Sequence, residues 1–192
     1  MSIIVVNHLS LDGVLQSPGR PDEDPRGGFR HGGWAQVDDD PSMGEVISQH
    51  LGQRFAWLFG RFSYEDMLSH WNRVGGPFRS GLIDADKYVV TSDPSYAPRW
   101  PNSHVVTGDV LGQLDALRRD RAGNLVVMGS GALIRTMLPA GLIDRLLLMV
   151  HPVVLGSGQR MFGPAENAQA FRLINASSTP TGVVVASYEA RR

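Results

Sequence analysis

Hydrophobic residues along this chain follow two alternating rhythms. Short unbroken apolar runs occur at Ile3 to Val6, Phe55 to Phe59 (FAWLF), Lys87 to Thr91 (KYVVT), His104 to Thr107 (HVVT), Leu125 to Met128 and Leu146 to Val150. Runs of this length, rich in β-branched residues and closed by Gly, Pro or Asp, predict strands buried on both faces. Between them, apolar residues recur every three or four positions. Met43, Val46, Ile47 and Leu51 form one such stripe, and Met67, Leu68 and Trp71 a second. Val110, Leu111, Leu114 and Leu117 form a third, and Leu133, Ile134, Met137 and Leu138 a fourth. That spacing predicts amphipathic helices.

The helix ends carry their own signals. Asp38, Asp39 and Asp40 before Pro41 read as an N-cap and first turn. Asp109 at one end and Arg118, Arg119 and Arg121 at the other complement a helix dipole, with Gly123 as the stop. Two strand-like runs close the chain, Phe171 to Ile174 and Val183 to Tyr188, and the Ser-Thr-Pro-Thr-Gly between them reads as a hairpin turn. Strands alternating with helices predict an α/β fold: three layers, with a mainly parallel mixed sheet flanked by helices and ending in a C-terminal β-hairpin. The chain's 192 residues suit one domain spanning 1–192. The one long segment that fits neither rhythm, Gln16 to Trp34, is rich in Gly, Pro and charge, as functional lids often are.

Composition narrows the function. There are 18 basic and 19 acidic residues, so the near-neutral charge gives no reason to expect a nucleic-acid or membrane partner. With no cysteine there is no disulfide, thiolate zinc site or cysteine nucleophile. None of the six histidines has metal-ligand spacing, so no metal is expected. The first residues, MSIIVVNHLS, lack a basic stretch and a long apolar run, and cytoplasmic residence is the expectation.

Two segments have the strand–turn–helix form that receives anions. In LVVM-GSG-ALI, Gly129 and Gly131 would let a diphosphate approach the backbone amides; an ordinary tight turn explains the glycines equally well. The third glycine of a dinucleotide fingerprint is replaced by Ile134, which disfavours a Rossmann dehydrogenase. In LFGRFSYE, Gly60 closes a strand while Arg61 and Ser63 open a helix; the guanidinium could pair with a phosphate monoester, although a lone Arg at a helix start is more often a solvated surface charge. A dinucleotide bearing a 2′-phosphate needs two such sites.

These segments, with SLDG (Ser10 to Gly13), KYVVT and GLIDRLLLMVHPVVLGSGQRMF (Gly141 to Phe162), come in an order that resembles a known family. The series looks like the reductase domain of the riboflavin-biosynthesis deaminase-reductases and their free-standing relatives, within the dihydrofolate-reductase-like superfamily. Only the loop from Gln16 to Arg30 and the stretch from Gly75 to Ile83 fall outside it. No H-x-E with P-C-x-x-C occurs here, so no deaminase zinc site is expected within this sequence.

The resemblance implies NADPH as hydride donor, a small planar pterin- or pyrimidine-like substrate, and a homodimer. It assigns Gly60, Arg61 and Ser63 to the 2′-phosphate side, and Gly129, Ser130, Gly131 and Ala132 to the diphosphate. Leu155, Gly156 and Gly158 would lie beside the cofactor, and Ser10, Asp12 and Gly13 on the nicotinamide and substrate side. Asp12 is the leading catalytic candidate, with a turn-forming Asp-Gly as the rival. Asp40 stands where dihydrofolate reductases carry a substrate carboxylate, although helix capping explains it fully. Trp34 could stack on a flat substrate or pack in the core, and His151 reads as structural. Arg20, Arg26, Arg30 and Arg160 are the candidates for a substrate phosphate, each with surface solvation as the alternative. The competing functional reading is a nucleotide-binding protein that keeps the fold without turnover.

Overall fold

The computed structural model describes residues 2–36, 42–120, 122–164 and 168–191. The strands are β1 (Ile3–Ser10), β2 (Phe55–Gly60), β3 (Lys87–Val90), β4 (Ser103–Val106), β5 (Asn124–Met128), β6 (Arg145–His151), β7 (Phe171–Ser178) and β8 (Val184–Ala190). They form an eight-stranded sheet in the order β4-β3-β2-β5-β1-β6-β8-β7. The first six strands in that order run parallel, and β8 and β7 follow antiparallel. The helices are α1 (Ser42–Leu51), α2 (Arg61–Val74), α3 (Gly76–Asp84), α4 (Val110–Asp120) and α5 (Gly131–Met137).

Alternation along the central strand sets the layers. Ile3, Val5 and Leu9 of β1 point to one face, where Leu114 of α4 and Leu133, Ile134 and Met137 of α5 cover them. Ile4 and Val6 point to the other, against Trp57 and Phe59 of β2, Leu51 of α1, Tyr64 and Leu68 of α2 and Leu82 of α3. The expected three-layer, mainly parallel mixed sheet is therefore the fold, open rather than closed into a barrel, and the C-terminal hairpin is β7–β8.

Two features depart from the pattern reading. First, β1 continues past its apolar run through Asn7, His8 and Ser10, whose backbone stays paired with β6. Second, α3 occupies part of the segment that showed no helical signal. Its two glycines and proline hide the period, but Pro77 sits in the first turn, where a missing N–H is tolerated. Lys87 supplies the stop: its buried Nζ donates to the carbonyls of Leu82, Ile83 and Ala85 at 2.7, 3.0 and 2.6 Å. Desolvation lowers the Lys87 pKa to about 8. The acidic cap at Asp38–Asp40 and the basic Arg121 lie outside the described residues.

The start of α2 is fixed from behind by Tyr64, which is fully buried. Its hydroxyl pairs with Ser103 Oγ at 3.0 Å and accepts the Trp100 N–H at 3.1 Å, tying α2 to the edge of the sheet.

Candidate functional site

A cleft of about 1670 Å³ runs across the carboxyl ends of the parallel strands. That is where ligands bind in open α/β sheets. It exceeds the roughly 300–1,000 Å³ usual for one small ligand, so it has room for a dinucleotide and a second molecule.

Two turns form one wall, at the ends of the neighbouring strands β2 and β5, and they are latched to each other. The Gly60 N–H donates to Ser130 Oγ at 2.7 Å, and the Ser130 N–H donates to Ser63 Oγ at 3.0 Å. From the side, Asn7 Oδ1 accepts the Gly129 N–H at 3.0 Å. These bonds hold Gly129 at φ 72° and Ser130 at φ 59°, a conformation uncommon for a residue with a side chain. The two turns also approach each other closely, so that a side chain at either glycine would have to push the facing serine aside by a few tenths of an ångström. A Cβ on Gly60 would lie 3.3 Å from Ser130 Oγ, and one on Gly129 the same distance from Ser63 Oγ. Neither α2 nor α5 has an acidic residue in its first turn or a side-chain cap, so the first amides of both keep their partial positive charge toward the cleft.

Gly60, Arg61, Ser63, Gly129, Ser130, Gly131 and Ala132 thus come together on one wall. The remaining site candidates do not join them. Ser10, Asp12, Gly13, Leu155, Gly156 and Gly158 form a separate knot that does not line the cleft. Asp12 Oδ1 accepts the Ser10 hydroxyl at 2.7 Å and the Leu155 N–H at 3.1 Å, while Oδ2 accepts the Gly156 N–H at 3.0 Å. Arg160 Nε donates to the Asp12 carbonyl at 2.9 Å. The Ser10 hydrogen bond, followed by that from Leu155, lowers the Asp12 pKa to about 2. Such a carboxylate has no proton to give at neutral pH. The knot closes a loop between distant parts of the chain, and the turn-forming reading of Asp12 is the one the geometry fits. Gly158 is there for packing, since a Cβ would fall 2.7 Å from Phe29 and 2.8 Å from Val14.

Trp34 does not line the cleft itself but packs edge-on against His151 of its floor, the ring centres 5.4 Å apart. It is buried beside Val14 and Phe29, and its Nε1–H donates to the Gln16 carbonyl at 2.7 Å. This is the packed arrangement, with the ring among other side chains. Asp40 lies outside the described residues.

The long loop lines part of the cleft. Gln16 ties it internally through the carbonyls of Asp24 and Arg26 at 3.0 and 2.9 Å, and anchors it to the Gln159 N–H at 2.9 Å. Two contacts dock it on α2: the ion pair of Arg20 with Asp66, and the Arg26 guanidinium 3.8 Å above the Phe62 ring. Arg26 also pairs with Asp24 at 2.6 Å. Arg20 and Arg26 are therefore engaged by carboxylates, and Arg30 and Arg160 do not line the cleft.

Sequence reasoning passed over a pair on the cleft floor. His8 Nδ1 and His151 Nε2 are 2.8 Å apart at the ends of β1 and β6. Burial first, and the nearby His151 second, lower the His8 pKa to about 4. Burial lowers that of His151 as well. The pair is neutral at pH 7. The only signal in the sequence was two polar residues, Asn7 and His8, continuing an apolar strand to its carboxyl end. Among the described residues, no group of three or more His, Cys, Asp or Glu is arranged to hold a metal ion.

The open parallel sheet with its cleft at the strand ends is that of the dihydrofolate-reductase-like proteins. Residues 1–185 match the family model for the RibD C-terminal domain, and the chain belongs to that family. This membership makes it a protein of reductase type. The uncharacterized protein YyaP of Bacillus subtilis (strain 168) is 28% identical over 169 residues, covering 84% of this chain and 88% of YyaP. A Shewanella sp. PV-4 protein named for riboflavin biosynthesis superposes with a TM-score of 0.69 at 20% identity, over the full length of both chains. The dihydrofolate reductase of Enterococcus faecalis, complexed with NADP(H) and RAB-propyl, superposes with a TM-score of 0.62. It is 14% identical, and the match covers 100% of this chain and 97% of that one.

Proposed function

We propose that this protein is an NADPH-dependent reductase of a small planar heterocycle of pterin or pyrimidine type. The carrying observation is the pair of cross-latched turns: the latch uses the Gly60, Gly129 and Ser130 N–H groups itself and leaves the uncapped first amides of α2 and α5, from Arg61 and from Gly131 onward, for anions on one wall of one cleft. Gly131 and Ala132 would hold the diphosphate through their amides on the turn shaped by Gly129 and Ser130, and Arg61 and Ser63, placed by Gly60, would hold the ribose 2′-phosphate. The fit is steric as well as electrostatic, because side chains at Gly60 and Gly129 would crowd the latch. NADPH supplies the hydride when bound.

The protein's own residues would do the rest. The long loop, docked on α2, would limit water at the cleft. The neutral His8–His151 pair carries two ring protons, one in the shared bond and one on an outer nitrogen, His8 Nε2 or His151 Nδ1. A substrate on the cleft floor would meet this pair, which can relay a proton from water to the acceptor atom. Asp12 would keep the floor's rim in place.

A homodimer and cytoplasmic residence belong to the same reading. The outer strand β7 exposes Leu173 and Ile174, which suits a self-association face. No described helix is long and apolar enough to cross a membrane.

The test is NADPH oxidation with purified protein against a panel of pterin, pyrimidine and quinone acceptors. Oxidation above the no-acceptor control with at least one pterin or pyrimidine is the expected result. Saturable NADPH binding without oxidation by any acceptor would instead favour a nucleotide-binding protein without turnover.

A further inference from the structure

Arg61, the cation assigned to the 2′-phosphate, is not alone. Its Nε lies 3.1 Å from Glu65 Oε1 and its Nη1 3.2 Å from Asp93 Oδ2. Its guanidinium carbon sits 4.4 Å from the centre of the Tyr96 ring. Asp93 follows β3 and is rigidly placed: Oδ1 accepts both the Ser95 N–H at 3.0 Å and the Ser95 hydroxyl at 2.7 Å. These hydrogen bonds, chiefly that of the Ser95 side chain, hold Asp93 below the usual carboxylate range, so it is ionised at neutral pH. Arg61, Glu65, Ser92 and Asp93 all line the same end of the cleft.

The local charge then decides the matter. One guanidinium against two carboxylates leaves this cluster at net −1. A ribose 2′-phosphate brings up to two further negative charges and, once fully ionised, has only acceptor oxygens. It would share Arg61 with Asp93 and Glu65 and sit beside both carboxylates. A ribose 2′-hydroxyl has the opposite chemistry, because it can donate to a carboxylate. In the Rossmann fold an acidic residue at the ribose accompanies NAD, and an arginine accompanies NADP, for the same chemical reason. This cleft carries both.

We infer that Asp93 is the residue that sets cofactor choice here, and that its pairing with Arg61 makes the site accept NADH as well as NADPH. The inference rests on the dinucleotide reading of the cleft. Arg61 supplies the attraction for the phosphate, and Asp93 offsets it while offering the hydroxyl an acceptor. Glu65, also on Arg61 but one helical turn into α2, acts in the same direction through charge alone.

The test is parallel titration of NADPH and NADH into wild type, Asp93→Asn and Glu65→Gln, following tryptophan fluorescence. Wild type should bind the two cofactors within about tenfold of each other. Asp93→Asn should tighten NADPH by about three- to tenfold, the scale of removing one partly exposed like charge, and leave NADH unchanged or weaker. Glu65→Gln should shift the ratio the same way by less. An NADPH-to-NADH ratio unchanged in Asp93→Asn, or weaker NADPH binding with the far-UV circular dichroism intact, would overturn the inference. If Asp93→Asn misfolds, the Glu65→Gln ratio decides the question by itself. Binding of neither cofactor by wild type would remove the dinucleotide reading and this inference with it. A normal NADPH site with an indifferent Asp93 would remove the inference only.

Discussion

Gly129→Val is expected to weaken NADPH binding by at least about a hundredfold while the sheet remains folded. Gly129 has φ 72°, where a β-branched residue is strained by about 1–3 kcal/mol. Its new Cβ would also stand 3.3 Å from Ser63 Oγ, inside the latch that joins the two turns. Relief requires moving the turn, which withdraws the Ser130 N–H from Ser63 and the Gly129 N–H from Asn7. The amides assigned to the diphosphate would then lose their common orientation. Titration of wild type, Gly129→Ala and Gly129→Val should give a graded loss, with far-UV circular dichroism unchanged across the series. Equal affinity in all three proteins would show that the turn does not touch the cofactor.

The second large effect is on stability against pH. The His8 pKa is lowered to about 4, whereas an unfolded histidine titrates near 6.5. Between those values the unfolded chain binds more protons than the folded one, so stability rises with pH across that window. Read downward, the contribution is complete above about pH 6.5 and is lost as pH falls toward about 4. It amounts to on the order of 3 kcal/mol. His151 shifts in the same direction and adds to the effect. Burial and the neighbouring His151 lower the His8 pKa, and burial alone lowers that of His151. His8→Gln should flatten the dependence relative to wild type in urea unfolding measured from pH 7 to pH 4.5. Parallel curves for the two proteins would contradict a buried, neutral pair.

How much of this was legible in the sequence depends on what each residue's partner was. The parallel strands were readable because both faces are buried, so Leu125–Met128 and Phe55–Phe59 are continuously apolar. The two glycine turns were readable because the strand before each and the helix after it are local. What failed was anything decided by a distant partner. Asp12 reads as a turn from its neighbours, but its lasting contacts are to Leu155 and Gly156, which no local pattern announces. His8 and His151 meet only because β1 pairs with β6. Asp93 carries no local signal, and it stands beside Arg61 because β3 pairs with β2. Helix α3 escaped because its stop is a lysine from the next strand rather than a residue of its own.

The most direct test of the account is calorimetric titration of NADPH into the purified protein. The account predicts a saturable, one-site binding curve in wild type that is lost in Gly129→Val. Absence of saturable heat up to millimolar NADPH would contradict it, and the latched turns would then serve the fold alone.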